Sequence, residues 1–437
     1  MLRSKVKMNK IFKTLYEMRT FLLLLITQSF SGLGSSMTSY GLVIWSYKQQ
    51  GSALVTALHM VCSYTPYVIC SIFAGALSSR WDKKKTMLAS DAAAAACTVI
   101  VLILLQTGNL RIWHLYVLNA VNGLMNTVQQ PASEVAVTAI LPKKYYQNAG
   151  GIKYFFSALN SILTPVIATA ILGLAGMTFI ILFDLATFFV AFLSLLFLIR
   201  IPDTAPAREK TETLLTSTAN GLRYLKEHRG ILDLILFLAA INLVASLYSA
   251  AFPAMMLSRD GGSETVMGMV NAVIGITTLL GSILAALMKA PKSRVRVICN
   301  CLLFSMSFEN LMLAFGRSAE IWCLGGFLGW IAIPLMNTNL EAIMRLRIPV
   351  EMQSRVFAAR NSLQFFTIPT GYFLGGLLVD KVFEPVMAMQ EPGSLLIRMF
   401  GSGKGTGAAF FFFVIAFLGI AVCIYFRHDK HIWELEK

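Results

Sequence analysis

Long apolar runs alternate with short basic intervals along the whole chain. Twelve runs stand out, at about 21–46, 53–79, 86–106, 112–141, 150–175, 177–199, 231–257, 264–288, 296–316, 319–344, 355–380 and 406–426. A run of ~20 apolar residues crosses the hydrocarbon core as a helix. Strands of a membrane barrel are excluded, because these runs are too long and do not alternate in polarity. The first run follows a basic N-terminus but is too long for a signal h-region. No small-x-small cleavage site follows it, so it is expected to remain as the first span. The fold predicted is an all-α membrane protein of twelve transmembrane helices, lying in the lipid bilayer.

Composition agrees. Of 437 residues, 56% are hydrophobic and 14% charged, against roughly 25% charged in a soluble domain. A soluble enzyme, a disordered chain and a disulfide scaffold are thereby excluded. The net charge of +15 would raise nucleic-acid binding in a soluble protein, but no basic stripe keeps to one surface, and none is expected. Instead the charge reports topology. With the N-terminus in the cytoplasm, thirty of the 37 Lys and Arg fall on inward loops and termini. Lys48, Arg111, Arg259, Arg317, Lys381, Arg398 and Lys404 face outward. Both termini are therefore expected in the cytoplasm, and a missed span would destroy this asymmetry. The seven Cys all lie in apolar runs and read as small buried hydrophobes.

The longest inward interval divides the chain into a six-helix bundle at 1–199, a linker at 200–230 and a second bundle at 231–437. Leu214, Leu215, Leu222 and Leu225 beside Arg223, Lys226 and Arg229 predict an amphipathic surface helix in the linker, with a plain connector as the alternative. The two bundles carry a repeat: Glu134-x7-Pro142 meets Glu341-x7-Pro349 at an offset of 207 residues. Parallel repeats of this kind place a substrate site between the halves near mid-membrane.

Ionisable groups in lipid are costly, which makes them candidates for function. Asp91, Glu134, Asp184, Glu309 and Glu341 stand inside spans. On the fourth span Asn119, Asn122, Asn126, Gln129, Gln130, Ser133 and Glu134 fall within about 140° of arc at 100° per residue. Lipid cannot satisfy such a stripe, so it faces a polar pathway or hydrogen-bonds neighbouring helices, and the pathway is preferred. Glu134 is suited to bind a proton or a cationic solute, or to pair with a basic loop residue. On the tenth span, which also carries Asn337, Glu341 and Arg345 are i,i+4 neighbours and are expected to pair. Asp91 is expected to make a gate contact with Lys83 to Lys85. The first span has no carboxylate; its polar residues are Gln28, Ser35, Ser36, Thr38 and Tyr40.

The chain resembles the major facilitator superfamily, and within it the macrolide-efflux and siderophore-exporter branch of bacterial exporters. Gly75-Ala-Leu77-Ser-Ser79-Arg80-Trp-Asp82-Lys83-Lys84-Lys85 resembles the G-x-L-x-D-R-x-G-R-K loop after the second span, with Ser79 in place of the Asp and Asp82 in place of the Gly. Gly376-Leu-Leu378-Val-Asp380 repeats the G-x-L-x-D pattern at the end of the eleventh span. Pro131-Ala132, Leu141-Pro142 and Arg355-Val356-Phe357 resemble further markers. The resemblance implies two pseudo-symmetric six-helix bundles, a monomer in the bacterial plasma membrane and export by alternating access. In that fold Tyr64, Tyr67, Asn160, Asn242, Tyr248, Asn271, Asn361 and Gln364 would lie on spans that line the pathway, and Asp184 and Glu309 on peripheral ones. Gly75, Arg80, Asp82, Lys83, Asp91, Arg345, Arg355, Gly376 and Asp380 would serve gating. Ser79 cannot ionise, so Asp82 would have to replace the family's latch. Asn122 stands where the branch often has an Arg, so proton coupling, if the chain uses protons, rests on Glu134 or Glu341.

No G-x-x-x-x-G-K-[ST] loop is present, so ATP is not the direct energy source. No cofactor or metal site is expected. The function expected is secondary export of amphiphilic small molecules, macrolide-like ones among them. Siderophore or lipid export, nutrient uptake, and a non-transporting membrane enzyme or scaffold are the alternatives.

Overall fold

The computed structural model describes residues 16–142, 145–202 and 222–436, with backbone alone for 71–80, 146–148, 154, 350–351, 353–355 and 358. Helix α1 is Arg19–Gln50, α2 Ala53–Arg80, α3 Lys83–Gln106 and α4 Ile112–Ile140. The segment Tyr146–Leu193 breaks at Gly176, where φ is 77° and ψ −179°, a left-handed φ that favours glycine. The part before it is α5. The part after it is α6, which closes on a π-turn, Ser194–Leu198. In the second half α7 is Arg229–Ser258, α8 Glu264–Leu287 and α9 Arg294–Phe315. Helix α10 is Ala319–Ile331 continued by Ile333–Arg347, and α11 is Val350–Phe365 continued by Thr367–Leu378 and a π-turn, Val379–Phe383. Helix α12 is Thr406–Arg427.

Among the described residues ten helical stretches are long and apolar enough to cross a membrane. One of them, Ala149–Leu198, contains the break at Gly176, and α4, whose polar stripe lowers its hydropathy, is not among the ten. Divided and added, they make twelve spans. Side chains at the boundaries explain where the helices start. Ser52, Asp82, Ser263 and Ser293 each accept a hydrogen bond from a backbone N–H in the first turn of the helix that follows, satisfying donors that a helix start leaves open. Pro142 and Pro349 fall just beyond the ends of α4 and α10, as the repeat predicts.

Within the first half α1 packs on the α5–α6 segment and α2 on α4; in the second, α9 packs on α12 and α7 on α11. The halves meet along α2 with α11 and α5 with α8. Gly376 makes the first contact possible: a Cβ there would lie 2.6 Å from Leu54 Cα and 3.0 Å from Ala53 O. The larger apolar core belongs to the second half and gathers Phe237, Met255, Trp322 and Phe412. At the end of α7, Arg259 is buried and donates to Leu313 O at 2.9 Å, Ala314 O at 3.1 Å and Phe400 O at 3.1 Å. Burial, helped by nearby Arg317, pushes its guanidinium down to about 10, which leaves it charged at neutral pH.

Most of the linker helix expected over 200–230 lies outside the described residues. Residues 222–227 are helical, and Leu225 there is buried in the core.

Candidate functional site

The first half encloses a cavity of about 900 Å³. Its floor is the α4 stripe: Asn119, Asn122, Asn126, Gln129, Gln130, Ser133 and Glu134 all line it. Gln28, Ser31, Ser35, Ser36 and Ser39 of α1 face them, with Tyr64 and Tyr67 of α2, Asp91 of α3, Lys153 of α5 and Asp184 of α6. Leu42, Leu115, Leu118 and Phe188 add apolar surface from the same half, and among the described residues the second half adds Phe365 and Ile368.

Neutral donors hold two of the three acids. Asp91 accepts from Gln28 Nε2 at 3.0 Å and from Gln129 Nε2, one amide on each carboxylate oxygen. This corrects the expected gate contact with Lys83 to Lys85. Asp91 lies eight residues along α3 from Lys83, about 12 Å at 1.5 Å per residue, and its side chain points into the cavity. Two of the lysine amines bond elsewhere: Lys83 Nζ donates to Trp81 O, and Lys84 Nζ to Leu196 O and Ile199 O. Asp184, expected to be peripheral, stands on the cavity wall, buried, and accepts from Ser35 Oγ at 2.9 Å. Glu134 pairs with Lys153 across the cavity mouth, each more than half exposed.

Nearby, Asn119 Nδ2 lies 2.9 Å from His59 Nδ1 and Ser46 Oγ 2.8 Å from His59 Nε2. With the amide as donor, His59 carries its proton on Nε2 and donates to Ser46. Tyr67 donates to Gln130 Oε1 at 3.0 Å. Asn122 Oδ1 is buried with no hydrogen-bond partner among the described residues.

Seven pathway candidates do not line this cavity, Asn160 and Asn271 among them, which donate to Ser29 O and Met267 O at 2.9 Å each. The Asn242 side chain donates to the Gln364 backbone carbonyl at 3.2 Å at the α7–α11 contact, while Gln364 Oε1 is buried with no hydrogen-bond partner among the described residues. Tyr248 packs against Phe252 and Phe412, ring centroids 5.6 and 5.3 Å away. Asn337 and Asn361 are exposed and lie off the cavity wall. Glu341 pairs with Arg345 at 3.7 Å as expected, and also with Arg360 at 3.1 Å. Arg360 sits one inward loop away in the chain, a separation that periodicity does not bridge. Glu309 is buried in the second half and accepts from Trp330 Nε1 at 2.9 Å.

Of the gating candidates, Asp82 caps its own helix through Lys85 N at 2.8 Å and forms no bond to the second half among those described. The side chains of Arg80 and Arg355 and the surroundings of Gly75 lie outside the described residues. Asp380 and Gly376 bind the halves at the Ser52 end of α2. Asp380 accepts from Ser52 Oγ at 2.5 Å and from the Ala53 and Leu54 N–H groups at 2.9 Å each. On the same face Lys48 pairs with Glu264, again across the halves. Tyr64 stacks on Tyr372 at 6.0 Å between centroids.

Twelve membrane-spanning helices in two bundles, closed against each other at one face and holding a polar cavity, define a transporter of small solutes. A sequence profile of the Major Facilitator Superfamily matches residues 24–288, more than half the chain, and the chain belongs to that family. Macrolide efflux protein A of Streptococcus pyogenes is 19% identical over 359 residues, covering 81% of this chain and 88% of its own length. Multidrug efflux pump Tap of Mycolicibacterium fortuitum is 24% identical over 390 residues, covering 86% and 93%. The crystal structure of a point mutant of the nucleoside transporter NupG superposes with a TM-score of 0.66 at 13% identity, covering 93% of this chain and 98% of its own, which is a likeness of fold. Family membership makes the chain a multi-pass membrane transporter and not an enzyme.

Proposed function

We propose that the chain exports amphiphilic small molecules carrying a basic group, by alternating access across a bacterial plasma membrane. The observation that carries this reading is the charge of the cavity. Its described lining residues include three carboxylates, Asp91, Asp184 and Glu134, and one cation, Lys153, which pairs with Glu134. Among the described residues Asp91 and Asp184 are met by amides and hydroxyls. An ammonium group entering the cavity gains two anionic partners in a poorly screened site. The apolar second-half wall, Phe365 and Ile368, suits the rest of such a molecule. The names of the relatives, macrolide and multidrug efflux, agree with a solute of this kind.

The moving units are 1–199 and 231–437, joined by 200–230, and the protein works as a monomer with both termini in the cytoplasm. The polar bonds between halves at the Ser52 face close the outer side, and the cavity faces the cytoplasm. Protons supply the energy. Glu341 is held by two arginines and Glu134 by a lysine, so Asp91 and Asp184 are better placed to exchange a proton for the cation.

Proteoliposomes with an imposed pH gradient test this. A panel should include a macrolide, a lipophilic cation, a neutral amphiphile, a siderophore and a nucleoside. Basic amphiphiles should accumulate against their gradient, and Asp91→Asn should remove that accumulation. Preferential movement of the siderophore or nucleoside would replace the reading with another solute class, and turnover without movement would end it.

A further inference from the structure

A second concavity, of about 250 Å³, lies away from the cavity, at the start of α9 and the end of α10. By the antiparallel run of the helices it opens on the same face as Lys83. Lys292, Arg294 and Arg347 line it, and Glu436 is the carboxylate among its described lining residues. Glu436 is already engaged: its carboxylate accepts from Val295 N–H in the first turn of α9. Neither Lys292 nor Arg294 meets a carboxylate among the described residues. Arg347 spends Nε and Nη2 on Leu435 O, at 3.0 and 2.6 Å, and meets no carboxylate among the described residues.

The pocket is built, not a chance gathering of loop charges. The short helix Lys430–Glu434 straps the terminal segment under α7, where His431 Nδ1 lies 3.0 Å from Asp233 Oδ2. Trp433 Nε1 donates to Arg427 O at 2.6 Å. These contacts and the Arg347 bonds fix Leu435 and Glu436 as one wall. The opposite rim is apolar: Ile343 lines the pocket, and Leu346 beside it is 68% exposed at the end of a membrane-spanning helix.

We propose that this pocket binds the phosphodiester headgroup of an anionic phospholipid. Three cations at the headgroup level of a span match a phosphate better than any neutral or cationic solute, and basic pockets between helix ends are suited to lipid phosphates. The volume is below the ~300–1,000 Å³ of drug-sized sites. The exposed Leu346 rim favours a ligand with an acyl chain over a free anion. The bound lipid bridges α9, α10 and the terminal strap.

The test uses the full chain in detergent, by native mass spectrometry and thermal unfolding. Phosphatidylglycerol, phosphatidylcholine, glycerol phosphate and inorganic phosphate are added in turn. Phosphatidylglycerol should be retained and raise the unfolding temperature, and phosphatidylcholine should not. Affinity should fall about fivefold for each neutralised charge in Lys292→Gln and Arg294→Gln, and Lys292→Arg should restore it. Leu346→Ser should reduce the preference for the lipid over glycerol phosphate. If the variant that combines Lys292→Gln with Arg294→Gln does not fold, Lys292→Gln alone decides, since that side chain is exposed. Undiminished lipid binding in Lys292→Gln would overturn the proposal. So would stabilisation by inorganic phosphate equal to that by the lipid, which would make this a free-anion site.

Discussion

Asp380 of α11 accepts a hydrogen bond from the hydroxyl of Ser52, which is itself the N-cap of α2 on the other half. The same carboxylate takes the Ala53 and Leu54 N–H groups. One side chain of the second half thus completes the start of a helix in the first. Negative charge at a helix N-terminus is favourable, and the two N–H groups would otherwise need water. Any motion that separates the halves here must break three bonds to one acid.

Asp380→Asn keeps the shape and removes the charge, and its amide offers one accepting oxygen where two are used. The closed arrangement at this face should lose about 1–2 kcal/mol, a shift of roughly 5–30-fold in the ratio of states. Spin labels at Gln49→Cys and Asp260→Cys, in a background without the native cysteines, report it. Both positions are exposed on the Ser52 face, one on each half. The longer-distance population should grow. An unchanged distribution would mean that Asp380 does not latch the halves.

Gly376 tests the same contact by volume. The atoms a Cβ would meet, Leu54 Cα at 2.6 Å and Ala53 O at 3.0 Å, are backbone and cannot turn aside. Gly376→Val should push α11 from α2, at a cost of about 1–3 kcal/mol, and move the same spin-label distances outward. Gly150→Ala is the control, since no heavy atom lies within 4 Å of its added Cβ. Equal behaviour of the two variants would rule out a close-packed gate.

Glu134 and Lys153 make an ion pair in which the side chains are 55% and 53% exposed. A pair so open is worth ~0–1 kcal/mol. The swap Glu134→Lys with Lys153→Glu should leave the unfolding temperature nearly unchanged. Glu134→Lys alone adds a cation where the cavity receives solute, and should raise the KM for a basic solute more than it lowers stability. A large loss of stability in the swapped protein would show that the pair is structural.

The spans were legible because length and polarity alone decide what lipid accepts. The α4 stripe was legible for the same reason: seven polar side chains on one arc have no partner in hydrocarbon, and they line the cavity. Gly176 was readable as the junction between two runs. What escaped depends on partners distant in the chain. Asn242 looks like a pathway amide until α7 and α11 are seen to bond through it and the Gln364 backbone carbonyl. Asp184 looks peripheral on its own helix and reaches the cavity because α1 offers it Ser35. The misplacement of Asp91 was avoidable, since the rise of α3 alone separates it from Lys83. Pathway candidates were expected in both halves, yet among the described lining residues the second half contributes Phe365 and Ile368, an asymmetry that the repeat does not foretell.

Glu309 and Trp330 offer a test of the second half's interior. Glu309 is 4% exposed, and Trp330 Nε1 donates to its Oε1 at 2.9 Å. Trp330→Phe keeps a ring and removes the donor, leaving a buried carboxyl oxygen without that bond, at about 1–3 kcal/mol. Glu309→Gln keeps an accepting oxygen and should cost less. Combined with Trp330→Phe, it should not add its full cost, because the two residues share one bond. Detergent unfolding of the four proteins completes the cycle. Strict additivity would show that the indole N–H and the carboxyl do not depend on each other, and that Glu309 is held by the packing around it.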